Sequence, residues 1–127
     1  MRFIPTHLHG AFDYFVGVLL IFAPQIFGFQ NGGAEDRIFV ILGVMTLVYS
    51  LCTRYELGLF NLIPLGAHLV FDFVSGVVLT VSPWVFGFSE RVWVPHLLIG
   101  LLAIDVALMS QRNPVEGAER TSRGIPI

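Results

Sequence analysis

Few side chains in this sequence can do chemistry, and the ones that can recur at a fixed spacing. His9 precedes Asp13 by four residues, and His68 precedes Asp72 by four. On a helix that interval stacks two side chains on one face, so each pair sets an imidazole beside a carboxylate. Three chemistries are open to such pairs. A local His–Asp hydrogen bond satisfies both groups and ties helix ends together, and this is the leading expectation. A carboxylate inside an apolar segment, tuned by an imidazole, also takes up and releases protons, and intramembrane acids mark such routes. Lastly, two imidazoles at matching depth are able to ligate an iron, as in a haem protein, although neither histidine sits in a haem motif. A zinc site wants three or four ligands with a supporting shell, which spacing alone does not show. No catalytic residue, metal or cofactor is therefore assigned. The lone Cys52 excludes an internal disulfide framework and any CxxC motif.

The elements that hold these groups are apolar and short. Of 127 residues 55% are hydrophobic and 13% charged, with 12 Phe and a mean hydropathy of +0.79. A soluble domain carries about a quarter charged residues, and one of this size has too much surface to bury so much apolar matter. The excess must face lipid. The length fits one domain, and a net charge of -2 with seven basic residues argues against nucleic acid as a partner. Four apolar stretches run from His7 to Ala23, Arg37 to Thr53, Leu65 to Ser82 and Val92 to Ser110, with Pro24 and Pro83 expected to stop the first and third. Each holds roughly 17 to 19 residues, the lower end of what spans a ~30 Å hydrocarbon layer. The first lacks the features of a cleavable signal peptide, since only Arg2 precedes it and Asp13 lies within it.

Sliding the chain by 59 residues lays residues 2–29 over 61–88. Ile4, Pro5, His9, Phe12, Asp13, Gly17, Val18, Leu20, Pro24, Phe27, Gly28 and Phe29 then meet identical residues, namely Ile63, Pro64, His68, Phe71, Asp72, Gly76, Val77, Leu79, Pro83, Phe86, Gly87 and Phe88. Beyond the following loop the offset becomes 57, pairing Gly43 with Gly100. The chain is a tandem duplication, with repeat 1 at about 2–57, repeat 2 at about 61–111 and a membrane domain over 1–111. Each copy reads as a helix, a Pro and Phe-Gly-Phe turn, and a second helix. Two crossings per copy make the repeats parallel, related by an axis near the membrane normal. The expected fold is all-α, a four-transmembrane-helix bundle of two tandem parallel helical hairpins with pseudo-twofold symmetry. Arg2, Arg54, Arg112, Arg120 and Arg123 fall on one side, Arg37 and Arg91 on the other. That bias puts both termini in the cytoplasm and the protein in the cytoplasmic membrane, with Trp84 and Trp93 at the opposite headgroups.

Ser82-Pro83-Trp84, followed by Val85-Phe86-Gly87-Phe88, resembles the hallmark of the SPW-repeat family of small bacterial and archaeal membrane proteins. The first copy reads Ala23-Pro24-Gln25 before Ile26-Phe27-Gly28-Phe29, keeping the Pro but departing at Ser and Trp. The His-x-x-x-Asp stretches from His9 and His68 also look like the family. The resemblance covers residues 2 to 111 and implies a four-span tandem-repeat membrane protein; it implies no activity.

On the first helix Phe12, Asp13, Gly17, Leu20 and Pro24 share an arc with His9, and the equivalent residues share one on the third. A face kept after duplication while the other drifted among Leu, Val, Phe and Ile should point inward. Asp105 has no counterpart, Val48 standing in its place, and is expected to turn inward toward Asp13 and Asp72 or toward a partner subunit. His96, replacing Phe39, is expected at the interface, and His7 at the cytoplasmic surface. Gly17, Gly43, Gly76 and Gly100, with an Ala103–Ala107 ridge, should let backbones approach closely within the monomer. Residues 112–127 make a polar cytoplasmic tail. The expected function is a non-catalytic membrane subunit, bound by lipid and by a larger membrane complex or its own copies. A minimal proton- or ion-handling protein, with Asp105 assisting, and a haem- or metal-binding protein are the alternatives.

Overall fold

The computed structural model describes residues 4–110. The tail beyond 111 and the N-terminal Arg2 lie outside them. Four helices follow in order: α1 (Thr6–Ile26), α2 (Ala34–Leu51), α3 (Leu65–Val85) and α4 (Val94–Met109). No strand occurs among the described residues, only isolated bridges joining Ile4 to Ser110 and Thr53 to Ile63. The all-α, four-helix reading of the repeats is what the chain adopts. α1 packs on α2 and α3 on α4, so each repeat is a helical hairpin.

Two boundaries differ from the sequence expectation for one reason. Pro24 and Pro83 do not stop their helices but lie inside them, fully buried. A proline removes one N–H and crowds the turn before it, yet residues after it still donate: Phe27 N–H reaches Ala23 O at 2.8 Å, and Phe86 N–H reaches Ser82 O at 2.9 Å. The true stop lies at Gly28 and Gly87, whose φ values of 76° and 75° are left-handed. Phe29 N–H then reaches back to Pro24 O (2.9 Å) and Phe88 N–H to Pro83 O (2.8 Å), the six-to-one bond of a Schellman C-cap. The repeated Pro and Phe-Gly-Phe signature is thus a helix terminator that bends the chain toward the second helix of each hairpin.

Glycines set the crossing points. A β-carbon at Gly43 would stand 2.8 Å from Gly17 O, and one at Gly76 2.9 Å from Gly100 O. The four repeated glycines therefore pair as Gly17·Gly43 and Gly76·Gly100, one backbone-on-backbone contact inside each hairpin. Between the hairpins Leu20, Ala23, Phe39, Leu42 and Leu79 form the apolar core. Ala107 is buried within the bundle, so the small-residue ridge of α4 faces inward.

The outer surface is apolar. Phe15, Val18, Phe22, Ile41, Val44, Val48, Val70, Val74, Leu98 and Leu102 are exposed. α1 and α3, at 21 residues each, are long and apolar enough to cross a membrane, with fewer than half the residues of those stretches buried inside the protein. A core helix of a soluble protein would be mostly covered. The exposed faces and the length of about 32 Å at 1.5 Å per residue make this a membrane protein. α2 and α4 are shorter, with 18 and 16 residues, and α2 opens on Glu35, Asp36 and Arg37.

Gly100→Ala should destabilise the protein by about 1–3 kcal/mol, because the added carbon meets Thr80 N and Gly76 O, which are backbone atoms. Gly66→Ala meets nothing within 4 Å and should be neutral or stabilise by up to about 1 kcal/mol. Thermal unfolding in detergent distinguishes the two.

Candidate functional site

His9 and Asp13 sit in the first turns of α1, and His68 and Asp72 in those of α3, at the end of the bundle closed by the 52–64 loop. Pro5 and Pro64 start the two helices from extended backbone, so both repeats present the same face at the same depth. All four side chains are buried, His68 fully and His9 at 1% exposure. Their ligating atoms lie within 4.8 Å of one another.

The closest pairing is across the repeats. Nε2–H of His9 donates to Asp72 Oδ2 at 2.9 Å, and Nε2–H of His68 to Asp13 Oδ2 at 2.8 Å. The contacts along each helix, His9 to Asp13 and His68 to Asp72, are both longer at 3.2 Å. The local pair expected from spacing thus exists but is secondary; each aspartate is held first by the other repeat's histidine. The geometry is a pseudo-twofold exchange that clasps α1 to α3.

The outer nitrogens of the imidazoles repeat the symmetry. His9 Nδ1 faces Ser110 Oγ, and His68 Nδ1 faces Thr53 Oγ1 at 2.6 Å. Each hydroxyl has one proton. Ser110 gives its proton to Val106 O at 2.6 Å and Thr53 gives its proton to Tyr49 O. The hydroxyl oxygens therefore accept, and both Nδ1 atoms carry hydrogen. With protons on the Nε2 atoms as well, two imidazolium and two carboxylate groups make a centre of zero net charge.

Two tyrosines complete it. Tyr49 Oη–H donates to Asp72 Oδ1, and Tyr55 Oη–H to Asp13 Oδ2 at 2.9 Å. Tyr55 lies in the loop, where burial first and the Asp13 charge next push its hydroxyl well above the ordinary tyrosine range, so it stays a donor. Tyr49, Thr53, Tyr55 and Ser110 were not picked out from sequence. Thr53 and Ser110 stand 57 residues apart, the same offset as the paired glycines, and that shared hydroxyl was the available signal. The tyrosines have none, since Val106 occupies the position equivalent to Tyr49.

A cavity of about 40 Å³ adjoins the quartet, touching His9, Asp13 and Asp72 below and Leu20, Leu79 and Ile99 above. The His9 and His68 rings, with centroids 5.5 Å apart, turn their Nε2 atoms to shared carboxylates rather than across a gap. The imidazole nitrogens that would reach an iron are thus engaged by carboxylates.

Other anticipated residues fall elsewhere. Asp105 is exposed on the outer face of α4, away from the quartet, because its turn of the helix looks outward. His96, in the first turn of α4, is fully buried. Its Nε2–H donates to Glu35 O at 2.9 Å, and the Phe29, Phe39 and Phe88 rings enclose it with centroids at 5.2, 4.4 and 4.9 Å. Nearby Glu35 accepts from Arg91 at 2.9 Å, joining the repeats at this second end. Phe88 thus serves the core, as Ser82 does through its hydroxyl bond to Leu79 O, while Trp84, Phe27 and Phe86 are exposed. His7 is exposed as expected, and Trp84 lies beside Trp93.

Thr53→Ala and Ser110→Ala each leave a buried imidazole N–H without its acceptor. Losses of about 1–3 kcal/mol, similar for the two variants because the sites are equivalent, are expected in unfolding measurements.

No curated protein and no solved structure matches the chain. The family model for the SPW repeat domain matches residues 7–110, a stretch that holds both hairpins and every member of the quartet. By that match, and by the duplicated hairpin that its residues build, the chain belongs to the SPW repeat family.

Proposed function

We propose that this protein is a non-catalytic integral membrane subunit, crossing the cytoplasmic membrane four times with both termini in the cytoplasm, that packs against a larger membrane complex or its own copies. The carrying observation is Asp105. Among the described residues of α4 it is the one charged side chain, and it lies on an exposed face with Leu98, Leu101, Leu102 and Leu108 exposed on the same helix. A carboxylate at the centre of a span costs about 2.5–3.5 kcal/mol, and acids in spans face protein or water rather than acyl chains. Asp105 is four residues from the end of α4, about 6 Å along the helix, which lessens the cost without removing it. A neighbouring chain offering a donor would meet it.

The quartet supports the same reading. Its donors and acceptors are directed at one another and at Thr53, Tyr49, Tyr55 and Ser110, the arrangement of a clasp between repeats. The cavity beside Asp13 and Asp72 favours the second reading, proton or ion handling. Beyond the Thr46 and Ser75 hydroxyls that cavity is lined by Leu20, Leu42, Leu79 and Ile99, which offer no onward acceptor, so the packing reading stands first.

Native mass spectrometry of the full chain in lipid nanodiscs should find it in assemblies heavier than its own 14.1 kDa, and Asp105→Leu should shift the population toward the single chain. A single chain throughout, in wild type and variant alike, overturns the proposal. For the second reading, Asp13→Asn with Asp72→Asn should abolish proton flux in proteoliposomes; equal flux from the doubly substituted chain removes those acids from any route.

A further inference from the structure

Both Nδ1 atoms of the quartet are hydrogen donors, because Ser110 and Thr53 have given their only protons to the carbonyls of Val106 and Tyr49. Each Nε2 consequently faces two carboxylates, at 2.9 and 3.2 Å for His9 and at 2.8 and 3.2 Å for His68. A bare Nε2 lone pair against a carboxylate lone pair is repulsive, so the middle of the quartet must hold positive charge. Two protons supply it. One doubly charged cation supplies the same charge from one point.

We propose that the quartet is a binding site for one divalent first-row transition-metal ion, with Zn²⁺ the best fit, held by Nε2 of His9 and His68 and one carboxylate oxygen each from Asp13 and Asp72. The donor set is two imidazoles and two carboxylates, which suits zinc, and four protein ligands describe a closed structural site. The size agrees. A tetrahedral ion with ligands at ~2.0–2.2 Å has ligand–ligand edges of about 3.3–3.6 Å, a few tenths of an ångström beyond the N–O separations present. The N–O pairs would open slightly and the widest pair of ligand atoms, up to 4.8 Å apart, would close to seat the ion.

The surrounding hydrogen bonds have the polarity a metal requires. A ligating histidine donates its other ring N–H to an oxygen, and ligating carboxylates accept hydrogen bonds in turn. Here Nδ1–H of His9 and His68 point at Ser110 and Thr53, while Tyr49 and Tyr55 donate to Asp72 and Asp13. The second shell is complete on all four ligands, and the twofold exchange gives each repeat one histidine and one aspartate. Uptake is a balanced exchange: one M²⁺ enters and two protons leave, one from each Nε2, to the buffer. The ion would reinforce the clasp between repeats. The inference shares the quartet with the packing reading but needs no partner, so a test on the isolated chain separates the two.

The full chain, purified in detergent and stripped with a chelator, is titrated with Zn²⁺ alone. One ion per chain should bind, with two protons released in weakly buffered solution, and affinity should fall about 100-fold for each unit drop in pH. Co²⁺ in place of Zn²⁺ should give the visible bands of a tetrahedral site. His68→Gln should abolish binding, whereas His7→Gln, at an exposed histidine, should leave it intact. Tyr55→Phe, which keeps the quartet's four ligands, should weaken binding 10–100-fold and so provides a variant independent of ligand loss. A folded wild-type chain that takes up no ion, or binding that survives His68→Gln, overturns the proposal; so does uptake without release of two protons.

Discussion

Two carboxylates inside an apolar bundle are the constraint to which the rest of the molecule answers. An isolated buried charge costs far more than a protein of this size can spare, and breaking one partner from a buried pair is worth about 3–5 kcal/mol. Asp13 and Asp72 are tolerable because each is met by a histidine of the opposite repeat and a tyrosine. That requirement fixes α1 and α3 face to face at one depth. It also demands that the C-terminal ends of α2 and α4 arrive beside them, since Thr53 and Ser110 supply the outer acceptors. The bridge from Ile4 to Ser110 and that from Thr53 to Ile63 hold those ends in place.

The duplication makes this economical. One hairpin carries one histidine and one aspartate, and neither charge is well satisfied within the hairpin, where the His–Asp distance is 3.2 Å. Two hairpins related by a pseudo-twofold axis complete each other. The symmetry is broken only where the tyrosines enter, from α2 for Asp72 and from the loop for Asp13. At the far end the pattern differs again. Phe39 of repeat 1 meets His96 of repeat 2 inside a box of phenylalanines, and the Glu35–Arg91 pair adds a second tie. One polar clasp and one mostly aromatic clasp thus close the two ends of the same interface, with the Gly17·Gly43 and Gly76·Gly100 crossings in each hairpin between them.

The outside follows opposite rules. Helix faces that drifted after duplication carry Val, Leu, Ile and Phe, and these residues are exposed. Asp105 departs from that rule as an exposed acid without an equivalent in repeat 1. It belongs to what distinguishes the second copy from the first, whereas the quartet belongs to what they share.

The helical class, the duplication, the membership of His9, Asp13, His68 and Asp72 and the inward faces of α1 and α3, apart from Phe71, which is exposed, were legible in the chain alone, because periodicity and repetition are written into it. The glycines were readable too, since a missing side chain at equivalent positions signals close backbones whichever partner they meet. The exchange of partners was not readable. A four-residue interval announces the pair on one helix, and no spacing announces that the carboxylate 0.3 Å closer belongs to the other repeat. The helix ends were misplaced because proline forbids only its own N–H, while the left-handed glycine beyond it sets the stop. Rotation of α4 about its axis decided that Asp105 faces out and that His96 lies buried, and that rotation comes from packing at Gly76 and Gly100. Only the tertiary structure joined Thr53, Tyr49, Tyr55 and Ser110 to the quartet, because hydrogen-bond direction depends on which acceptor each hydroxyl meets in space.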